Sequence, residues 1–192
     1  MNIVVKTSTG KTIVRPDTTW EKDNEDFYPP EFVNRLSYTP VLFARVSKPG
    51  RSVGRNFANR YYDCVGYGVL LYPEDMLDGS EEAYACASCL DHTSFLPYPS
   101  PDKSVLDQAF ACKLSSTKEG QKEEELFSFG AASHQMVQEA IAEVTRFIYI
   151  RTGDLIAIEL QERQQLCTRE DGSTNVRAIT GEETSLDFNI IF

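Results

Sequence analysis

Residues 126–160 contain the only long helical hydrophobic period in the sequence, followed directly by a turn and an apolar run. The apolar residues recur at helical spacing and form one stripe made of Met136, Val137, Ala140, Ile141, Val144, Phe147 and Ile148. This pattern predicts one principal helix over about residues 131–148. Residues 151–154 predict a turn, because Gly153 tolerates a positive φ. Residues 155–158 then have the pattern of a buried strand, so the segment predicts a helix packed on a sheet.

The remainder of the chain is rich in candidate strands. Alternating or β-branched apolar residues predict strands at 1–15 (a hairpin), 39–46, 61–72, 83–90, 105–114, 176–179 and 186–192. Within 61–72, Gly66 and Gly68 indicate a bend or a close backbone approach. Polar residues predict loops at 16–30, 113–125 and 161–174. With 192 residues, the chain is expected to form one α+β domain spanning 1–192.

Charge and hydropathy argue against several classes of partner and of cellular location. The net charge of −10 disfavours nucleic acid and anionic membrane surfaces, because both are bound through Lys and Arg. No apolar run is long enough to cross a bilayer, and the first residues lack the pattern of a secretion signal. The five cysteines are an odd number, which favours a reducing compartment over a disulfide framework. A cytoplasmic protein is therefore expected.

Cys86 and Cys89 have the two-residue spacing of zinc and redox pairs. A structural zinc site needs four ligands, and the sequence has no second pair of this kind. Because the surrounding residues 83–90 predict a buried strand, side chains three apart should point to opposite faces. The favoured interpretation is therefore two buried structural thiols, and a redox pair is the alternative.

Three further residues are candidates for chemistry. Asp91 directly follows a predicted buried strand. A carboxylate at this position is either solvated at the edge of the sheet or held in place for a functional role. His92 stands beside it, either as a hydrogen-bonded loop residue or as a catalytic group. His134 lies in the first turn of the predicted helix and is expected to be exposed. The sequence contains no phosphate-binding glycine loop.

Four sequence blocks, in this order, resemble the fumarylacetoacetate hydrolase superfamily. They cover about residues 39–160. The first three blocks are 39–43 (TPVLF), 61–71 (YYDCVGYGVLL) and 84–93 (YACASCLDHT). The fourth block begins with Phe127-Ser128, continues through the predicted helix and ends with Thr152-Gly153-Asp154-Leu155-Ile156. The resemblance implies a strand-rich mixed β-sheet roll, usually dimeric. It also implies a Mg²⁺ or Mn²⁺ ion that is held by two glutamates and an aspartate. In the family this ion binds and activates a diketo acid substrate.

The site residues that the resemblance implies are only partly present. The aspartate position corresponds to Asp91, but the two glutamate positions correspond to Cys64 and Gly66. The substrate-contacting Thr-Gly-Thr-Pro of the family is replaced by Ile158-Glu159-Leu160-Gln161, and the catalytic lysine has no anchored counterpart, Lys103 being only nearby. We therefore expect that the chain retains the scaffold of the family but lacks its metal site. No cofactor is expected unless Mg²⁺ or Mn²⁺ binds at an altered site.

Two main functional hypotheses follow. The first is a homodimeric binding, regulatory or structural protein without the metal-dependent chemistry. The second is an active hydrolase, decarboxylase or isomerase of short keto acids, with a rebuilt site centred on Asp91 and His92. Its further candidate residues are Asp63, Glu74 and Asp75. A cleft beside Asp91 that is filled with side chains would favour the first hypothesis.

Overall fold

The computed structural model describes residues 1–192, which form twelve strands, two α-helices and five short 3₁₀ segments. The strands are β1 (Asn2–Lys6), β2 (Thr12–Pro16), β3 (Trp20–Glu21), β4 (Arg35–Val46), β5 (Tyr62–Pro73), β6 (Ser94–Phe95), β7 (Cys112–Lys118), β8 (Glu124–Phe129), β9 (Leu155–Glu159), β10 (Gln164–Thr168), β11 (Thr174–Thr180) and β12 (Glu183–Ile190). The helices are α1 (Glu81–Ala87) and α2 (His134–Val144). Neither helix has the length and apolar character required to cross a membrane.

The larger sheet has the order β2-β1-β9-β4-β5-β6-β3, and β10 pairs with β4 beside this path. Its centre is the long antiparallel pair of β4 and β5. Strand β9 pairs antiparallel with β4 and parallel with β1, which makes the sheet mixed. The predicted strand-rich α+β fold with a mixed sheet is therefore confirmed.

The smaller sheet is antiparallel, with the order β12-β11-β7-β8. The main core brings residues of both sheets together with α2, and the rings of Phe95 and Phe188 stack across the sheets with centroids 3.6 Å apart. On β4, Leu42 belongs to this core while its neighbours Val41 and Phe43 belong to a second apolar cluster. Both faces of β4 are therefore buried, which agrees with the continuous apolar run from Val41 to Ala44.

The predicted helix–turn–strand segment is present. Helix α2 buries Val137, Ala140, Ile141 and Val144, as the stripe predicted, but it ends earlier than residue 148 and leaves Phe147 exposed. Gly153 has a φ of +91°, the conformation expected in the turn. The buried carboxylate of Asp154 accepts hydrogen bonds from the backbone N–H groups of Arg151 (2.7 Å) and Asn2 (2.8 Å). These bonds close the turn and attach β1 beside β9.

The strand predicted at residues 83–90 is wrong, because these residues belong largely to helix α1. The hydroxyl of Ser80 caps the helix by accepting from the N–H of Ala83 at 3.1 Å, and Glu81 and Glu82 occupy the first turn. Both features stabilise a helix N-terminus. The small apolar residues that suggested strand alternation are equally compatible with a short helix, so the capping residues decide the conformation.

Several boundaries also differ from the expectations. Residues 103–107 form a 3₁₀ segment, and the strand expected at 105–114 begins only at Cys112. The predicted loops contain strands: 113–125 includes most of β7 and the start of β8, 161–174 includes β10, and 16–30 includes β3. Strands at a sheet surface need only one apolar face, so their polar residues resemble loop sequence.

Candidate functional site

Gly66 lies in the middle of β5, directly opposite Phe43 of β4. A Cβ atom on Gly66 would lie 2.7 Å from Cζ and 2.8 Å from Cε1 of the Phe43 ring. These distances are about 1 Å shorter than a normal carbon–carbon contact. The Phe43 side chain is almost fully buried, and it also lines an adjacent cavity. The Phe43 ring therefore occupies the space into which a side chain at position 66 would extend.

A cavity of about 650 Å³ opens beside this pair. We call it the Gly66 cavity; its lining includes the aromatic residues Phe43, Tyr67, Tyr98 and Phe110, the hydroxyl-bearing residues Ser100, Thr180, Thr184 and Ser185, and the charged residues Lys22, Asp23 and Glu183. The volume is within the range of small-molecule sites in proteins. Aromatic walls with scattered hydroxyl groups suit a ligand that has a ring face and several hydrogen-bonding groups.

The charges around the Gly66 cavity are one ammonium and two carboxylates. The Nζ atom of Lys22 lies 3.8 Å from Oδ2 of Asp23, so its charge already faces an opposite charge. No arginine or histidine lines the cavity. Nothing here presents an unopposed positive charge to an anionic ligand.

Cys64 lies two residues before Gly66 on β5 and is half-buried. Burial, together with the neighbouring Asp63 carboxylate, raises the pKa of its thiol. Asp63 itself pairs with Arg45, with 3.4 Å between Oδ2 and Nη1. Cys64 is therefore a neutral thiol at ordinary pH, which is a poor ligand for a hard cation.

Asp91 and His92 follow α1 and line a second cavity of about 390 Å³, the Asp91 cavity, together with Glu21, Glu25 and Asp26. His92 has a φ of +56°, and its Nδ1 lies 3.4 Å from Oε2 of Glu21. The Glu21 side chain is only 7% exposed, whereas that of His92 is 63% exposed. The buried carboxylate beside the imidazole helps to orient the His92 ring. The cleft beside Asp91 is open, not filled with side chains.

The other residues that the sequence suggested for an Asp91-centred site form hydrogen bonds or ion pairs in other parts of the fold. Asp75 accepts from the N–H groups of Asn34 and Arg35, and Glu74 pairs with Arg163. The Lys103 ammonium donates to the carbonyl of Asn59. These residues therefore do not join Asp91 in the second cavity.

His134 lies in the first turn of α2, as predicted, but it is half-buried. Its Nδ1 lies 2.7 Å from the hydroxyl of Tyr62, and its Nε2 lies 3.1 Å from Oδ1 of Asp107. Burial raises the pKa of Tyr62 to about 12, so the hydroxyl is protonated and donates to Nδ1 when the ring is neutral. His134 therefore connects α2 to two neighbouring segments.

The donor set does not fit Mg²⁺ or Mn²⁺. Asp91 and Gly66 line different cavities, position 66 has no side chain, and Cys64 is a neutral thiol. No group of three His, Cys, Asp or Glu side chains lies close enough to hold a metal ion. Hard cations of this kind need several oxygen ligands around one point.

Cys86 and Cys89 are both exposed, so the interpretation as buried strand thiols is wrong. The pair lies at the C-terminal end of α1, because residues 81–87 are helical. On a helical turn, residues three apart lie on the same face.

Two important features were missed from the sequence. Glu21 lies in a segment predicted to be a loop, and nothing in the sequence indicates its contact with a histidine 71 positions away. The sequence indicated a bend or a close backbone approach at Gly66. The identity of the neighbouring residue, Phe43, was missed, since it depends on the register of β4 against β5.

No protein-family model matches the sequence, and no curated protein matches it. Solved structures do match. A Yersinia pestis CO92 protein whose name places it in the fumarylacetoacetate hydrolase family superposes with a TM-score of 0.76 at 16% identity, over 99% of this chain and 92% of that chain. Fumarylpyruvate hydrolase from Pseudomonas aeruginosa, solved with Mn²⁺ and pyruvate, superposes with a TM-score of 0.76 at 12% identity, over 100% of this chain and 90% of that chain. Maleylpyruvate hydrolase from Sphingobium sp. SYK-6 superposes with a TM-score of 0.68 at 10% identity, over 97% of this chain and 69% of that chain. At these identities the similarity shows a shared fold.

Proposed function

We propose that this chain, which has the fold of the fumarylacetoacetate hydrolase superfamily, binds a small molecule and does not carry out metal-dependent keto-acid chemistry. The observation that carries the proposal is the packing of the Phe43 ring on Gly66. The sequence resemblance assigns a metal-binding glutamate to position 66, and the ring takes the space that such a side chain needs. The half-buried neutral thiol of Cys64 supports the same conclusion at the other glutamate position.

The ligand class follows from the Gly66 cavity. Its aromatic walls favour a ring, and its hydroxyl groups favour hydrogen bonds to a neutral partner. Its one ammonium faces Asp23, and Glu183 adds a further negative charge. A short dicarboxylic keto acid would be repelled, so a neutral ring compound is the expected ligand. The five free cysteines support action in a reducing compartment such as the cytoplasm.

Ligand binding is tested by saturation-transfer NMR with a panel of neutral aromatic fragments and, in parallel, with pyruvate and acylpyruvates. Ala109 lines the Gly66 cavity and is exposed, so Ala109→Trp should fill part of the cavity without disturbing the core. Ala131→Trp, at another exposed position, is the matched control. Neutral fragments should bind to the wild type and to the control and be lost from Ala109→Trp. Preferential binding of the keto acids would contradict the proposal.

Catalysis is tested with a panel of acylpyruvates and other short keto acids in the presence of Mg²⁺ or Mn²⁺. The expected result is no turnover above the rate without protein. Turnover that disappears on adding a chelator would contradict the proposal directly.

The open Asp91 cavity favours a second candidate, an enzyme of short keto acids with a rebuilt site. His92, paired with the buried Glu21, could remove a proton next to a carbonyl group, and Asp91 lines the same cavity. This candidate predicts turnover that is lost in Asp91→Ala and in His92→Ala. Asp78→Ala is a control, because Asp78 is also an exposed aspartate in the α1 region but lies outside this cavity. Unchanged activity in Asp91→Ala would remove Asp91 from the chemistry.

A further inference from the structure

Cys86 and Cys89 are the first and fourth residues of a closed turn at the end of α1. The N–H of Cys89 donates to the carbonyl of Cys86 at 3.0 Å. A turn closed in this way holds the first and fourth Cα atoms within about 7 Å. A disulfide needs a Cα separation of about 4.4–6.8 Å. The closed turn therefore limits the Cα separation to about the upper end of the range that a disulfide requires.

The sulfur of Cys89 points back toward the helix. It lies 3.3 Å from the carbonyl oxygen of Ala85, the residue that precedes Cys86. In a helical turn the two Cβ atoms are about 5–6 Å apart, so closing a disulfide requires an approach of about 1–2 Å. Helix α1 ends at Ala87, so Cys89 lies two residues beyond the last helical residue, in the closing turn.

The other three cysteines are protected from the same chemistry. Burial raises the pKa of Cys112 to about 11 and that of Cys167 to about 12, and the pKa of the half-buried Cys64 is also raised. Since the thiolate is the reacting species, these thiols react slowly in the folded protein. Cys86 and Cys89 differ because both are exposed.

We propose that Cys86 and Cys89 form an exposed dithiol that exchanges with low-molecular-weight disulfides and closes an intramolecular disulfide. The thiolate of one cysteine attacks a sulfur of the small disulfide, which gives a mixed disulfide and releases one small thiol. The thiolate of the second cysteine then attacks the mixed disulfide at the protein sulfur and releases the second small thiol. The two protein thiols are oxidised by two electrons, the small disulfide is reduced, and the two protons end on the released thiols.

The closed ring would include Ser88, whose carbonyl accepts a hydrogen bond from Nε of the buried Arg15 at 2.9 Å. The chain then continues through Leu90 and Asp91 into the wall of the Asp91 cavity. The proposed disulfide therefore constrains the segment between a buried anchor and this cavity. The inference does not depend on the proposed ligand-binding function.

The test is incubation of the native, reduced protein with oxidised glutathione, followed by acid quenching, alkylation of free thiols and mass spectrometry. In the wild type, the peptide that contains both cysteines should lose the mass of two hydrogen atoms and carry no glutathione. The variant Cys86→Ser should instead retain one glutathione on Cys89, and Cys89→Ser should retain one on Cys86. Cys64→Ser is the matched control and should behave like the wild type.

Three results would overturn the proposal. One is a wild-type protein that carries glutathione on both cysteines, which would show two independent thiols. Another is a failure of both cysteines to react under native conditions. The third is a disulfide that joins two copies of the chain in place of the intramolecular bond.

Discussion

At the scale of single residues, Arg15 is a fully buried guanidinium with no carboxylate among its hydrogen-bond partners. It donates to the carbonyls of Leu71 (2.8 Å), Ser88 (2.9 Å) and Thr93 (3.1 Å) and to the hydroxyl of Ser94 (2.9 Å). Burial lowers its pKa, but the hydrogen bonds and the adjacent face of the Tyr72 ring compensate part of the cost of desolvation. Arg15 thereby joins β2 and β5 to the segment between α1 and β6.

Replacing Arg15 by alanine should reduce the free energy of unfolding by about 3–5 kcal/mol, because it leaves a buried cavity lined by unpaired carbonyl groups. Urea denaturation measures the change. Arg177→Ala is the control: Arg177 is half-exposed and paired with Asp187, so its loss should cost about 1 kcal/mol or less. Equal effects of the two substitutions would contradict the role assigned to Arg15.

Asp171 gives a pH-dependent prediction. Desolvation acts to raise its pKa, but the N–H of Thr168 at 2.7 Å and the ammonium of Lys118 at 3.1 Å outweigh it, so the pKa is lowered. A carboxyl group whose folded pKa is below its unfolded pKa of about 4 stabilises the fold above that pH, and the stabilisation is lost as the pH falls through the folded pKa.

Asp171→Asn should therefore be less stable than the wild type by about 1 kcal/mol at pH near 7, after allowance for solvent screening. The difference should shrink as the pH falls below about 4. Urea denaturation of both proteins across this range provides the measurement. A difference that stays constant with pH would show that the charge of Asp171 is not responsible.

Sequence patterns identify only some of the important single residues. Gly66 and Cys64 could be located on one strand because the surrounding residues are rich in Val, Tyr and Leu. Arg15 could not be recognised as a buried anchor, because its partners lie at least 56 positions away in the chain. Its contacts exist only after the sheet has formed.

At the scale of elements, β5 approaches β6 closely at Gly68. A Cβ atom there would lie 2.3 Å from the carbonyl oxygen of Phe95 and 2.7 Å from Cδ2 of Leu96. Of the two expectations from the sequence for Gly68, a bend or a close backbone approach, the structure shows the close approach. The carbonyl of Phe95 belongs to the backbone of β6, which pairs with β5 through Val69, so it cannot shift without loosening that pairing.

Gly68→Ala should therefore destabilise the protein by about 2–3 kcal/mol, as expected for overpacking against a fixed neighbour. Gly130→Ala is the matched control, because a Cβ atom at Gly130 would meet nothing within 4 Å. Thermal or urea unfolding of the two variants makes the comparison. A Gly68→Ala protein as stable as the control would contradict the close approach.

Elements with strong local signals were predicted well, and short ones were not. Helix α2, its turn and β9 follow one another in the chain, so the pattern of residues 126–160 contains most of the information needed. Helix α1 has only seven residues, fewer than two full turns, and its apolar residues gave no clear period. The capping residue Ser80 was the signal that could have identified it.

At the scale of the whole molecule, the order of the sequence blocks predicted the fold but not the arrangement of the site. Asp91, which follows helix α1, lines a different cavity from Gly66. A sequence resemblance matches positions along the chain and does not fix which side chains meet in space. The fold could therefore be predicted more completely than the site.

The central claim is that this scaffold does not hold the Mg²⁺ or Mn²⁺ that the resemblance implies, and calorimetric titration with each cation tests it most directly. The wild type and Asp91→Asn should be titrated in parallel, so that weak binding to the acidic surface is separated from a specific site. No saturable binding at millimolar concentrations, and no difference between the two proteins, is the predicted result. Saturable binding of one ion per chain that disappears in Asp91→Asn would contradict the account.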